Sequence, residues 1–204
     1  MDGVFMKRTI KIVMCLLMLV SILYVYDVWQ DKMALQQNLI RLHVVANSNS
    51  QNDQEIKLYV KDVVVAYLQP LINRFTNKDQ ATKFVEDNLS AIQHVANGVL
   101  EDIGSSERAV VSFCKEVFDT RTYDTFSLPA GIYDSLRIQI GEGQGKNWWC
   151  VVFPSLCLPA TSDAFQDTAV SSGFSETLGD SLANGRNLRF YILDCFGKLE
   201  NLFH

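Results

Sequence analysis

The sequence predicts a single α+β domain. In it a mainly antiparallel sheet packs against an αα pair, behind an N-terminal signal or anchor segment. Three observations predict it. An unbroken apolar stretch with a basic flank opens the chain. A short alternating run then leads into two stretches with helical apolar spacing. From Ala109 the chain becomes rich in β-branched and aromatic residues.

At 204 residues the chain is long enough for one domain with a real core. The formal net charge of −5 gives no reason to expect a nucleic-acid partner. The basic residues Lys7, Arg8 and Lys11 cluster at the start, and Ile12 to Tyr26 is apolar except for Ser21. As a helix this run would rise roughly 22 Å, short of a full hydrocarbon core of ~30 Å. That pattern is an export signal. Tyr24, Val25, Tyr26 and Asp27 make a poor cleavage site, so an uncleaved anchor stays open beside a cleaved signal. Residues 1–27 are therefore read as signal peptide or membrane anchor, 28–38 as a short polar tether with a helical form left open, and 39–204 as the exported α+β domain.

Leu39 to Val45, LIRLHVV, alternates Ile40, Leu42 and Val44 with Arg41 and His43, a strand with one half-polar face. Ser50 with Asp53 resembles a capping box and opens a helix over Gln51–Gln69, which Pro70 ends or kinks. A second helix is expected from Thr76 or Asn77 to Ile103, with Gly104 just past its end. Strands are expected at Ala109–Phe118, Tyr123–Phe126, Tyr133–Ile140, Trp148–Phe153 and Leu188–Phe196. The short spacings suggest an antiparallel meander, with 141–147 as a hairpin or wide turn. Thr161–Gly185 reads as a loose helix plus loops.

Candidate chemistry is sparse. The three histidines, His43, His94 and His204, are scattered, and no paired His/Cys spacing suggests a metal site. Gly141, Gly143 and Gly145 lead into Trp148 rather than into a helix, which removes the phosphate-cradle reading. No cofactor is expected. Outside the cytoplasm Cys114, Cys150, Cys157 and Cys195 can form disulfides, with three possible full pairings. Cys150 and Cys157 are close enough to staple one loop, and Cys114 with Cys195 is a candidate second bond across the sheet. Trp148 and Trp149 are adjacent on a strand, so they point to opposite faces. One is expected under the helices. The other is either covered by loops or exposed as a recognition anchor, and core packing of both through a local irregularity is the competing reading.

Two segments carry a resemblance: IRLHVVANSNSQNDQEIKLYVKDVV (40–64) and LPAGIYDSLRIQIGEGQGKNWWCVVFPSLC (128–157). Together they resemble the stage II sporulation protein R family of endospore-forming bacteria. The resemblance implies a signalling protein rather than an enzyme. Such proteins are exported from the forespore into the intermembrane space. There they activate a membrane-embedded aspartic protease, the stage II sporulation GA protein, which processes the sigma-E precursor in the mother cell. On that expectation the partner contact falls on Asn47, Asn49, Asp53, Asn147, Trp148 and Trp149. A cell-wall glycan-binding module using the paired tryptophans is the alternative. A hydrolase built on Cys150 and a histidine such as His43 is a third reading.

Overall fold

The computed structural model describes residues 2–155, 168–170 and 174–203, with side chains from residue 5 onward. Helix α1 (Asp2–Asn38) is one continuous element of 37 residues. From Phe5 it is long and apolar enough to cross a membrane. Every described side chain up to Asp27 is exposed, and burial begins sharply at Val28. The stretch expected as a tether is thus helix, and it packs into the domain through Val28 and Leu35, both fully buried.

Strand β1 (Ile40–Val45) follows α1 after a single residue. The remaining strands are β2 (Ala109–Phe118), β3 (Arg121–Thr122), β4 (Ser127–Leu128), β5 (Gly131–Ile140) and β6 (Asn147–Phe153). The main sheet has the order β2-β5-β1-β6, and β3 with β4 forms a separate two-stranded ribbon. β1 runs parallel to β5 and antiparallel to β6, while β2 is antiparallel to β5. The meander and its 141–147 hairpin are therefore overturned, because β1 lies between β5 and β6. The reason is burial. β1 is covered on both faces, and such a strand belongs in the middle of a sheet. The connection from Gly141 to Lys146 spans two strand spacings, about 10 Å, which six residues cover easily.

One face of the sheet carries α2 (Gln51–Ile72), α3 (Lys78–Asp87) and α4 (Leu89–Asp102). The Ser50 side chain caps α2, accepting from the Asp53 amide at 3.1 Å, as its spacing predicts. The expected second helix is two helices, broken at Asn88, whose φ of −116° and ψ of 13° leave the helical region. The core on this face is wholly apolar: Ile40, Leu42 and Val44 meet Val64, Leu68, Ile92 and Leu100. The opposite face carries the end of α1, α5 (Glu176–Asn184) and α6 (Leu188–Asn201).

The last of these corrects the expected final strand. Asn187 caps α6, accepting from the Phe190 amide at 2.8 Å, and Phe190, Leu193 and Gly197 face the core at helical spacing. A short apolar run such as LRFYILDCF has no period of its own that separates strand from helix. The docking of α6 is close. A Cβ on Gly197 would stand 1.6 Å from the Ala130 carbonyl oxygen, so only glycine lets the helix lie on that turn. Asp194 accepts from the Ala130 amide at 2.9 Å, and Arg189 pairs with Asp27 at 2.8 Å and with Asp31. Lys32 and Gln36 both reach Glu200, at 3.0 and 2.7 Å. The two ends of the chain are thus joined into one layer.

Candidate functional site

The Gly141–Lys146 connection crosses the end of β1 and is bonded to the turn that leaves it. The amides of Gly145 and Gln144 donate to the carbonyls of Ala46 and Asn47, at 2.9 and 3.0 Å. The amides of Glu142 and Lys146 donate to the side-chain oxygens of Asn47 and Asn49, at 2.9 and 2.8 Å. Asn47 Nδ2 donates to Asp53 at 3.2 Å, and the Ser48 hydroxyl donates to the same carboxylate at 2.5 Å. Those bonds, Ser48 first, hold the Asp53 carboxyl below its ordinary range. A Cβ at Gly145 would meet the Ser48 carbonyl oxygen at 2.2 Å, which explains a glycine there. Buried Lys57 fastens the loop to α2 by donating to the Lys146 carbonyl at 3.0 Å, and burial lowers its pKa. Asn47, Asn49 and Asp53 are brought together, and their polar atoms build this cap. Asn147 stands at its exposed rim.

The tryptophans divide between the two faces. Trp148 packs on the helix core and lies under Lys61, whose Nζ is 5.0 Å from the ring centre. Trp149 belongs to the other core and is only half exposed. It stacks on His43, with centroids 5.7 Å apart and planes 16° apart, and carries the Arg121 guanidinium 3.5 Å from its ring centre.

That second face holds a cluster that periodicity alone does not reveal. Arg41 is fully buried. Its guanidinium lies 3.9 Å from the Phe118 ring centre and 5.1 Å from that of Tyr133, and its Nη2 donates to the Tyr123 hydroxyl at 3.1 Å. Among the described residues its Nε and Nη1 have no partner, nor do Arg121 Nε and His43 Nε2. Beside it His43 Nδ1 is 3.2 Å from both oxygens of Glu116, which also accepts from Arg137 at 3.0 Å. Burial would raise the Glu116 carboxyl, but His43 and Arg137 outweigh it and hold it low. The sequence signal for this cluster was the placement of Arg41 and His43 at alternate positions of an otherwise apolar strand.

Cys150 is disulfide-bonded. Cys157 lies outside the described residues, as do 161–167 and 171–173 of the 161–185 stretch, whose described part holds the expected helix as α5. Cys114 and Cys195 are free and exposed, so the expected second bond between them is not formed. They sit on β2 and α6, elements that run in different layers. The Cys150–His43 pair is also not brought together. Cys150 lies in the helix-side core, whereas the His43 ring stacks on Trp149 on the opposite face. Among the described residues no group of His, Cys, Asp or Glu is arranged to hold a metal ion.

Fold and site define a class: a sheet covered by helices on both faces, borne on a helix able to cross a membrane, with a cap over its central strand. The sequence model of the stage II sporulation protein R family matches residues 36–163, more than half of the chain, and the chain belongs to that family. It is 36% identical over 118 residues to the stage II sporulation protein R of Bacillus subtilis (strain 168). That match covers 58% of this chain and about half, 53%, of the relative. No solved structure matches. The matched segment ends well before α5 and α6, so the layer that the C-terminus closes lies largely outside it.

Proposed function

We propose that this protein is an extracytoplasmic sporulation signal that activates a membrane-embedded aspartic protease. Activation would trigger processing of the sigma-E precursor in the mother cell. The domain would be exported from the forespore into the intermembrane space and held there by α1. Membership of the family supports the reading. The observation that carries it is the continuity of α1: the apolar segment passes without a break into the buried helix at Val28. A domain joined in this way stays at the membrane surface, where a membrane-embedded partner presents its outer face. An activator must bind the active arrangement of that partner better than the inactive one. On this reading the contact would fall on the cap's exposed rim, at Asn49, Glu142, Gln144, Lys146 and Asn147, which the cap holds in place.

The test is to co-produce the protease, its precursor substrate and this protein in a non-sporulating host. Precursor cleavage should rise when the full chain is exported. No rise with folded, exported protein would sink the proposal. A version with residues 1–27 exchanged for a cleavable signal separates anchoring from activation.

A further inference from the structure

We propose that Arg41 and Arg121 form a binding site for a small oxyanion, on the face of the sheet that α1, α5 and α6 cover. The geometry closes on itself. Arg41 and His43 are alternate residues of β1, so they share a face about 7 Å apart. Arg121 and Tyr123 are likewise two residues apart in sequence. Tyr123 accepts from Arg41 Nη2, and Trp149, which stacks on His43, carries Arg121. The two guanidiniums therefore belong to one cluster, linked through Tyr123 and through His43 and Trp149, with Phe118 against Arg41.

Within that cluster three guanidinium nitrogens, Arg41 Nε and Nη1 and Arg121 Nε, donate to no acceptor among the described residues. Arg41 is fully buried, and a buried charge without a counter-charge is the arrangement that proteins avoid. Neither arginine has an ion-pair partner among the described residues. The described carboxylates around the cluster are already engaged, Glu116 by His43 and Arg137, Asp194 by Lys198 and Glu200 by Lys32. Aromatic rings stabilise the charge on both arginines but accept none of these in-plane N–H groups. What is missing is an acceptor with negative charge, and planar guanidiniums match the oxygens of a carboxylate or a phosphate. Arg121 is half exposed and lies at the outer side of the site, so it forms the entry.

The experiment uses the full chain in detergent, uniformly ¹⁵N-labelled, titrated separately with sodium acetate, sodium phosphate and sodium chloride at matched ionic strength. The melting temperature and the arginine Nε–H resonances are followed. The site predicts that acetate or phosphate raises the melting temperature above the chloride control and saturably shifts the Arg41 and Arg121 Nε–H signals. A response to acetate assigns a carboxylate ligand, such as an acidic side chain, and a response to phosphate alone assigns a phosphate-bearing one. Arg121→Gln, at the half-exposed entry, should stay folded by circular dichroism and weaken the response about tenfold or more. Arg121→Lys, which keeps the charge but loses Nε, should restore only part of it. No response beyond chloride would overturn the site. So would an equal response in folded Arg121→Gln, which would mark an adventitious ion only.

Discussion

The two faces of the sheet are built by different rules. On the α2–α4 face the buried centre is apolar, polar contacts such as Lys78 with Asp134 and Asn97 with the Ala109 backbone stand at its margins, and the helices that make it follow one another directly in sequence. On the other face the cover comes from the two ends of the chain, and the sheet presents Arg41 and His43 to it. The first face is a folding core. The second combines a core with polar groups whose hydrogen bonds are incomplete. A sheet can therefore hold its stability on one side and keep unpaired chemistry on the other.

The sharpest way to break this contrast is to remove the cover. A chain beginning at Val28 should melt cooperatively, because every described side chain before it is exposed. A chain beginning at Leu39 loses Val28, Leu35 and the partners of Arg189 and Glu200, and should show no cooperative transition by circular dichroism. Next in size is a pair of substitutions. Leu68→Ala, in the apolar face, should cost about 2–5 kcal/mol in denaturant unfolding. Arg41→Met, equally buried on the other face, should fall within about 1 kcal/mol of the parent or above it, since it removes a charge with no counter-charge. A loss like that of Leu68→Ala would mean that Arg41 is a structural keystone.

The smallest effect is in the acid limb. Asp134 is held below its ordinary range because Lys78, at 2.6 Å, and Lys115, at 3.1 Å, outweigh the effect of its burial. Asp194 is held low against its burial by the Ala130 amide and by Lys198 and Thr120. A carboxyl with a lowered folded pKa contributes stability that is fully present above its unfolded value, about 4. That contribution is lost as pH falls through the lower folded value. Stability should therefore fall below about pH 4. Asp134→Asn should flatten that fall in a urea-melt series, while leaving the parent more stable near neutrality.

Much of the helix side was legible in the residues. Ser50 with Asp53 marked the start of α2, and the spacing of Val60, Val64 and Leu68 marked its buried stripe. The opposite orientations of Trp148 and Trp149 followed from their being neighbours on a strand. The candidate site was legible in its members but not in their roles. Asn47, Asn49 and Asp53 were singled out for partner contact, and the fold shows in addition that their side chains hold the cap together. Arg41 was visible only as one polar member of an alternating strand. Its surroundings are built by Phe118, Tyr123 and Tyr133, which lie far from it in the chain.

The Gly141–Lys146 connection shows where the division falls. By itself the sequence determined that a glycine-rich turn joins two strands, that an apolar helix opens the chain and that two helical stripes cover a sheet. These follow from local period and turn chemistry, which each segment carries alone. Only the tertiary structure decided that β1 inserts between those two strands, that Leu188–Asn201 is a helix, and that the helix after Asp27 belongs to the core. Strand order is set by which strand can be buried on both faces, and a short apolar run takes the form its neighbours leave room for. Those are properties of the assembled layers, and no single segment holds them.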